Sequence, residues 1–134
     1  MYLFDTDSLS QVLRRDPKPS FIARLAATPI EHQFTSAITV GEMVYGAHRG
    51  ARTDELLRQL ETRVWPNITI LPFDRVAAET YGRVRAELER AGVPIGEPDT
   101  RIAAIALSRN LTVVTVNVRH FSRVPGLAVE NWLA

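Results

Sequence analysis

Four carboxylic acids and one amide, Asp5, Asp7, Glu42, Asp99 and Asn117, are the side chains of this sequence whose types and surroundings suit shared chemistry. Two ionised carboxylates about 4 Å apart repel by about 4 kcal/mol at an effective dielectric near 20. Three such groups in one pocket therefore require protons or a cation. Oxygen donors favour the hard ions Mg²⁺ or Mn²⁺ over Zn²⁺, and the chain has no cysteine and only three scattered histidines, His32, His48 and His120. A divalent ion in an open carboxylate site activates water and neutralises charge on a phosphodiester undergoing displacement. In this reading Asp5 and Asp99 hold the ion directly, Glu42 holds it or orients water, and Asp7 or Asn117 reaches it through a water. Each residue also has an ordinary structural explanation: Asp7 as a helix N-cap, Glu42 as the partner of Thr39 in a capping box, Asp99 opposite a helix dipole, and Asn117 in an Asx-turn.

The elements around these residues are legible from periodicity and punctuation. Residues 1–4 form a short apolar run that ends at Asp5 and reads as a buried strand. Residues 8–15 read as a helix stopped by Asp16-Pro17-Lys18-Pro19, and residues 20–27 as a second with Phe21, Ile22 and Leu25 facing inward. Residues 33–38 read as a strand. Thr39 then opens a helix ended by Gly50, and residues 53–64 form another with Leu56, Leu57, Leu60 and Val64 at helical spacing. Residues 67–73 are rich in β-formers. Asp74 caps a long helix through Arg90, closed by Ala91-Gly92. Residues 98–109 form a helix with Pro98 near its start, residues 111–116 a β-branched strand, and residues 127–129 a last short strand. This alternation implies an α/β fold with a central, mainly parallel sheet flanked by helices. Sites in such sheets lie beyond the carboxyl ends of the strands. Asp5 and Asn117 follow strands, and Glu42 and Asp99 lie near helix starts.

Composition sets the bounds. The 134 residues, 46% hydrophobic and 23% charged, suit one domain spanning 1–134. The absence of cysteine excludes disulfides, thiolate metal sites and cysteine nucleophiles. Two acids in the opening MYLFDTDSLS do not suit a signal peptide, and no apolar run approaches the ~20 residues of a membrane span, so a cytoplasmic protein without a membrane partner is expected. Net charge is +1, so no global basic field announces a polyanion. Arg supplies 15 of the 16 cations, leaving Lys18 as the sole lysine and excluding enzymes that need lysines at their sites.

At the level of motifs the chain resembles PIN-domain ribonucleases of the VapC toxin type. The resemblance runs through LFDTDSLS at 3–10, SAITVGEMVYGA at 36–47, IGEPDTRIAAIAL at 95–107, TVNVRHFSRVPGL at 115–127 and VENW at 129–132. It implies a PIN-like α/β/α sandwich and a Mg²⁺- or Mn²⁺-dependent endoribonuclease. By position it assigns the acidic site to Asp5, Glu42 and Asp99. A fourth acidic position of many such domains falls at Asn117, an amide here. Asp7 stands where relatives often carry Asn, and Thr6 and Thr115 line the site through their hydroxyls. The resemblance also implies a cognate VapB-type antitoxin whose C-terminal segment lies in a groove over the acidic pocket, and a homodimer or toxin–antitoxin hetero-oligomer. Met43, Val44, Tyr45 and Leu57 are candidates for that groove or for the core. Arg101 and Arg119 could meet RNA phosphates, although a solvated face is their commoner role.

Two other functions fit parts of the sequence. Asp5-Thr6-Asp7-Ser8 imitates the opening of haloacid-dehalogenase-type phosphatases, with Asp5 as nucleophile. That chemistry needs a later lysine, and Lys18 comes too early. A non-catalytic PIN-fold RNA-binding module would carry the same scaffold with its acids acting only as caps. Trp132 reads as a packing residue and Trp65-Pro66 as a helix stop.

Overall fold

Short β-branched and aromatic segments pair into a five-stranded sheet in the computed structural model, which describes residues 1–133. The strands are β1 (Tyr2–Phe4), β2 (Gln33–Ser36), β3 (Thr69–Leu71), β4 (Thr112–Val114) and β5 (Val129–Glu130), ordered β3-β2-β1-β4-β5. Every pairing is parallel, with Tyr2 opposite Gln33 on one side and Thr112 on the other. Consecutive side chains of a strand point to opposite faces. Leu3 and Phe4, both fully buried, therefore anchor two separate cores.

Leu3 and Val113 meet helices α5 (Arg75–Arg90), α6 (Glu97–Ser108) and α7 (Val118–Phe121) through Val84, Leu88, Ile102, Ile105 and Phe121. Phe4 and Val114 meet the other layer, built from α1 (Thr6–Leu9), α2 (Pro19–Ala27), Met43 of α3 (Ala37–Arg49) and the turns after α4 (Thr53–Gln59). The architecture is the expected α/β/α sandwich.

Several element boundaries differ from the sequence reading. The first helix begins at Thr6, because Asp5 rather than Asp7 supplies its cap, and it tightens into a 3₁₀ turn at Ser10–Leu13. The helix expected over 53–64 ends at Gln59 and widens into a π-helical turn, Leu60–Val64, which buries Leu60 and Val64 against Phe4. Ile22, expected inward, is exposed, since only Phe21 of that pair meets the core. None of the described helices is long and apolar enough to cross a membrane.

Trp132 closes the second core. It is 1% exposed, stands edge-on to Tyr2 and Phe4 at ring separations of 4.9 and 5.2 Å, and lies under the Arg24 guanidinium at 4.4 Å. Its indole N–H donates to Glu130 at 3.0 Å, so its polar atom is satisfied. Trp132→Ala is expected to destabilise the protein by about 3–5 kcal/mol. Urea unfolding followed by circular dichroism checks this, and a cost under about 1 kcal/mol would contradict the packing described.

Candidate active site

The strand order reverses between β1 and β4, because the chain builds outward through β2 and β3 before crossing back to β4. Parallel sheets open a crevice at such a reversal, beyond the carboxyl ends of the strands. Asp5 leaves β1 at that point and Thr115 leaves β4 beside it. The Thr115 hydroxyl donates to Asp5 Oδ2 at 2.6 Å across the junction. Asp5 Oδ1 accepts the Ser8 backbone N–H at 3.0 Å, which makes Asp5 the N-cap of α1.

Asp5 is only 5% exposed. Burial pushes its carboxyl up to about 6 from the ordinary 3.8, and the nearby Asp7 charge pushes the same way. The Thr115 and Ser8 hydrogen bonds oppose the rise but do not cancel it.

Glu42 does not complete a capping box. Ser36 caps α3 by accepting the Thr39 N–H at 3.0 Å, so the helix begins at Ala37, earlier than the sequence suggested. Glu42 thus lies in the second turn, and its Oε1 accepts the Thr6 hydroxyl at 2.6 Å. Asp99 sits in the first turn of α6, half-buried, with Oδ2 3.1 Å from Nδ1 of His120. Its carboxyl is also raised, by burial first and then by the Glu42 and Asp7 charges, while His120 holds it down. Asp5, Asp7, Glu42 and Asp99 therefore share one electrostatic neighbourhood although they come from three parts of the chain. Asn117 follows as the cap residue of α7. Its backbone N–H donates to Thr115 Oγ1 at 2.9 Å, and its exposed side chain caps nothing.

The sequence reading missed His120, which it grouped with two unconnected histidines. The available signal was its position, three residues after Asn117 in the segment that follows β4. Arg101, a candidate for RNA contact, pairs instead with Glu97 at 2.8 Å and lies over Phe73 and Tyr81. Arg119 is exposed. Lys18 is exposed beside the start of α2 and pairs with no carboxylate among the described residues, so nothing here supplies the lysine of a phosphoaspartate mechanism.

The donor set fits a hard cation. Asp5, Asp7 and Glu42 form no ion pair with Arg or Lys among the described residues, although Glu79, Glu87 and Glu89 of α5 all do. Burial, and to a lesser extent mutual repulsion, raise the Asp5 and Asp99 carboxyls, and a divalent ion would offset both. Among the described residues, no three Asp, Glu or His side chains already stand as a ligand cluster. Thr6 and His120 instead hold Glu42 and Asp99 at the rim.

The PIN domain family model matches residues 2–127. The chain belongs to the PIN domain family. It is similar to the tRNA(fMet)-specific endonuclease VapC of Salmonella typhimurium, with 34% identity over 98% of this chain and 97% of that one. It is equally similar to toxin FitB of Neisseria gonorrhoeae, with 34% identity over 98% of this chain and 99% of FitB. Among solved structures, FitAcB from Neisseria gonorrhoeae superposes with a TM-score of 0.90, at 34% identity and 98% coverage of both chains. A DNA-bound VapBC complex from Salmonella typhimurium gives the same TM-score and identity, covering 98% of this chain and 97% of that one. Nucleases of the PIN domain family generally use divalent metals.

The raised Asp5 pKa sets a stability test for this PIN domain without metal. An acid whose folded pKa lies above its unfolded value favours the folded state when protonated, and that advantage fades as pH rises from about 4 to about 6. Asp5→Asn removes the buried charge while preserving an N-cap oxygen. Without metal, the variant is expected to be more stable than the parent at pH 7, by on the order of 3 kcal/mol at most, and to lose this advantage below pH 4. Thermal unfolding in EDTA at both pH values checks this, and a variant less stable than the parent at pH 7 would contradict it.

Proposed function

We propose that this protein is a Mg²⁺- or Mn²⁺-dependent endoribonuclease, the toxin of a toxin–antitoxin pair, acting as one domain over residues 1–134 in the cytoplasm. The observation that carries this reading is the buried Asp5 at the sheet's switch point, beside Asp7, whose charge acts together with that of Glu42 on Asp99, with no Arg or Lys paired to Asp5, Asp7 or Glu42 among the described residues.

Asp5 and Asp99 would hold the ion directly, with Glu42, Asp7 and Asn117 reaching it themselves or through water. When bound, the ion supplies water activation and charge neutralisation at the phosphodiester. The chain's own residues orient these donors. Thr115 and the Ser8 N–H fix both Asp5 oxygens, Thr6 fixes one oxygen of Glu42, and His120 fixes one of Asp99. These hydrogen bonds hold oxygens of all three carboxylates, which supports a pre-organised site.

The likeness to FitB and VapC supports an antitoxin partner, since solved relatives include FitAcB and VapBC complexes. An apolar trench of about 260 Å³ begins at Thr6 and Glu42 and runs along Met43, Gly46, Ala47, Leu56 and Leu60. A VapB-type antitoxin segment seated there would end over the acidic residues and exclude RNA. Tyr45 is exposed on the same helix, while Met43 is buried in its floor.

Asp5→Ala and Asp99→Ala are each expected to abolish RNA cleavage, and EDTA to stop the parent enzyme. Asn117→Ala is expected to cost roughly 10–100-fold, the range of a residue acting through water. Cleavage of a labelled RNA by purified variants measures all three. Full activity in either aspartate variant would refute the assignment, and a loss in Asn117→Ala equal to theirs would make Asn117 a direct ligand.

A further inference from the structure

Arg14, Arg15, Arg52 and Arg63 surround a depression of about 560 Å³ together with Leu13, Gln59 and a single acid, Glu55. Glu55 is already committed: Arg52 donates to both of its oxygens, at 2.9 and 2.6 Å. Arg14, Arg15 and Arg63 pair with no carboxylate among the described residues. The depression therefore carries three uncompensated positive charges in a chain whose net charge is +1. Arginines elsewhere are often matched, as in Arg83–Glu87, Arg85–Glu89 and Arg101–Glu97.

The cluster is also positioned. Arg63 Nη2 donates to the Val12 carbonyl at 2.9 Å, which ties the π turn to the 3₁₀ turn that leads into Arg14 and Arg15. That 3₁₀ turn continues α1 directly, and α1 starts at the Asp5 cap. Four α-helical and four 3₁₀ residues span roughly 15 Å. At about 3.4 Å per nucleotide of a stacked strand, this is roughly four nucleotides from the acidic site. Leu13 lines both the depression and the apolar trench that leads to Thr6 and Glu42, so the two surfaces are continuous.

We propose that this arginine depression binds the phosphodiester backbone of the RNA substrate about four nucleotides from the scissile bond. The assignment rests on the endoribonuclease reading above. Guanidinium forks suit consecutive phosphates, and the contact tethers the strand without reading its sequence. It supplies the local positive field that the whole molecule lacks, and it sits far enough from the carboxylates to leave their cation undisturbed.

The test uses the full chain carrying Asp99→Asn to prevent cleavage, with a single-stranded RNA oligonucleotide titrated by fluorescence anisotropy across a range of salt concentrations. Each phosphate contact on a single strand contributes about 0.7 to the slope of log affinity against log salt. Adding Arg14→Gln, Arg15→Gln and Arg63→Gln is expected to reduce that slope by about 2 and to weaken binding at low salt by roughly tenfold or more. The double variant Arg14→Gln/Arg15→Gln leaves the Arg63–Val12 hydrogen bond intact and is expected to lose about two-thirds of the slope change. Unchanged slope and affinity in both variants, with RNA still bound, overturn this assignment alone. So does a loss confined to antitoxin binding with RNA affinity unchanged, which would make the depression a site for an acidic peptide. If the Asp99→Asn parent binds no RNA and the unsubstituted chain cleaves none, the endoribonuclease reading fails together with it.

Discussion

The Thr115–Asp5 hydrogen bond is the joint on which the site depends. It links the ends of β1 and β4 where the strand order reverses, and it fixes one oxygen of a nearly buried carboxylate whose other oxygen caps α1. Two hydrogen bonds to a charged acceptor contribute about 1.5–3 kcal/mol each. Burial still dominates and raises the Asp5 pKa to about 6. The fold thus keeps a carboxyl that is uncomfortable when ionised and alone. In the proposed function a divalent cation would resolve the conflict, so that the same arrangement that costs stability would serve catalysis.

The remaining acids follow a related logic. Glu42 and Asp99 are each held by one polar neighbour, Thr6 and His120, at the edge of the same crevice. Asp99 feels the charges of Glu42 and Asp7 even though they lie far away in the sequence. A cation bound among these carboxylates would offset that repulsion. The apolar trench and the arginine depression extend outward from this rim along one continuous surface, so the acidic crevice, the trench and the depression share the segment 6–15 and the turns packed against it.

Much of this was legible in the sequence. The alternation of β-branched runs with amphipathic helices fixed the sandwich, and the acids fell beside strand ends or helix starts, where parallel sheets place their sites. What eluded the sequence depended on which polar group satisfies which. A capping box at Thr39 and Glu42 looked sufficient, yet Ser36 takes that role and releases Glu42 to Thr6. Asp7 looked like a cap, yet Asp5 takes that role while also meeting Thr115. The role of His120 was hidden despite its place three residues after Asn117, because the partner it meets, Asp99, lies 21 positions away in the chain. The burial of Leu60 and Val64 was legible, because residues four apart share a helix face, but the widening of that turn into a π turn left no mark in the periodicity.

The most direct measurement of the central claim is saturable Mn²⁺ binding to the full chain, read by electron paramagnetic resonance of the free ion. The account predicts stoichiometric binding by the parent protein that disappears in Asp5→Asn/Asp99→Asn while circular dichroism remains native. Unaltered Mn²⁺ uptake by that folded double variant, or no saturable uptake by the parent, would contradict it.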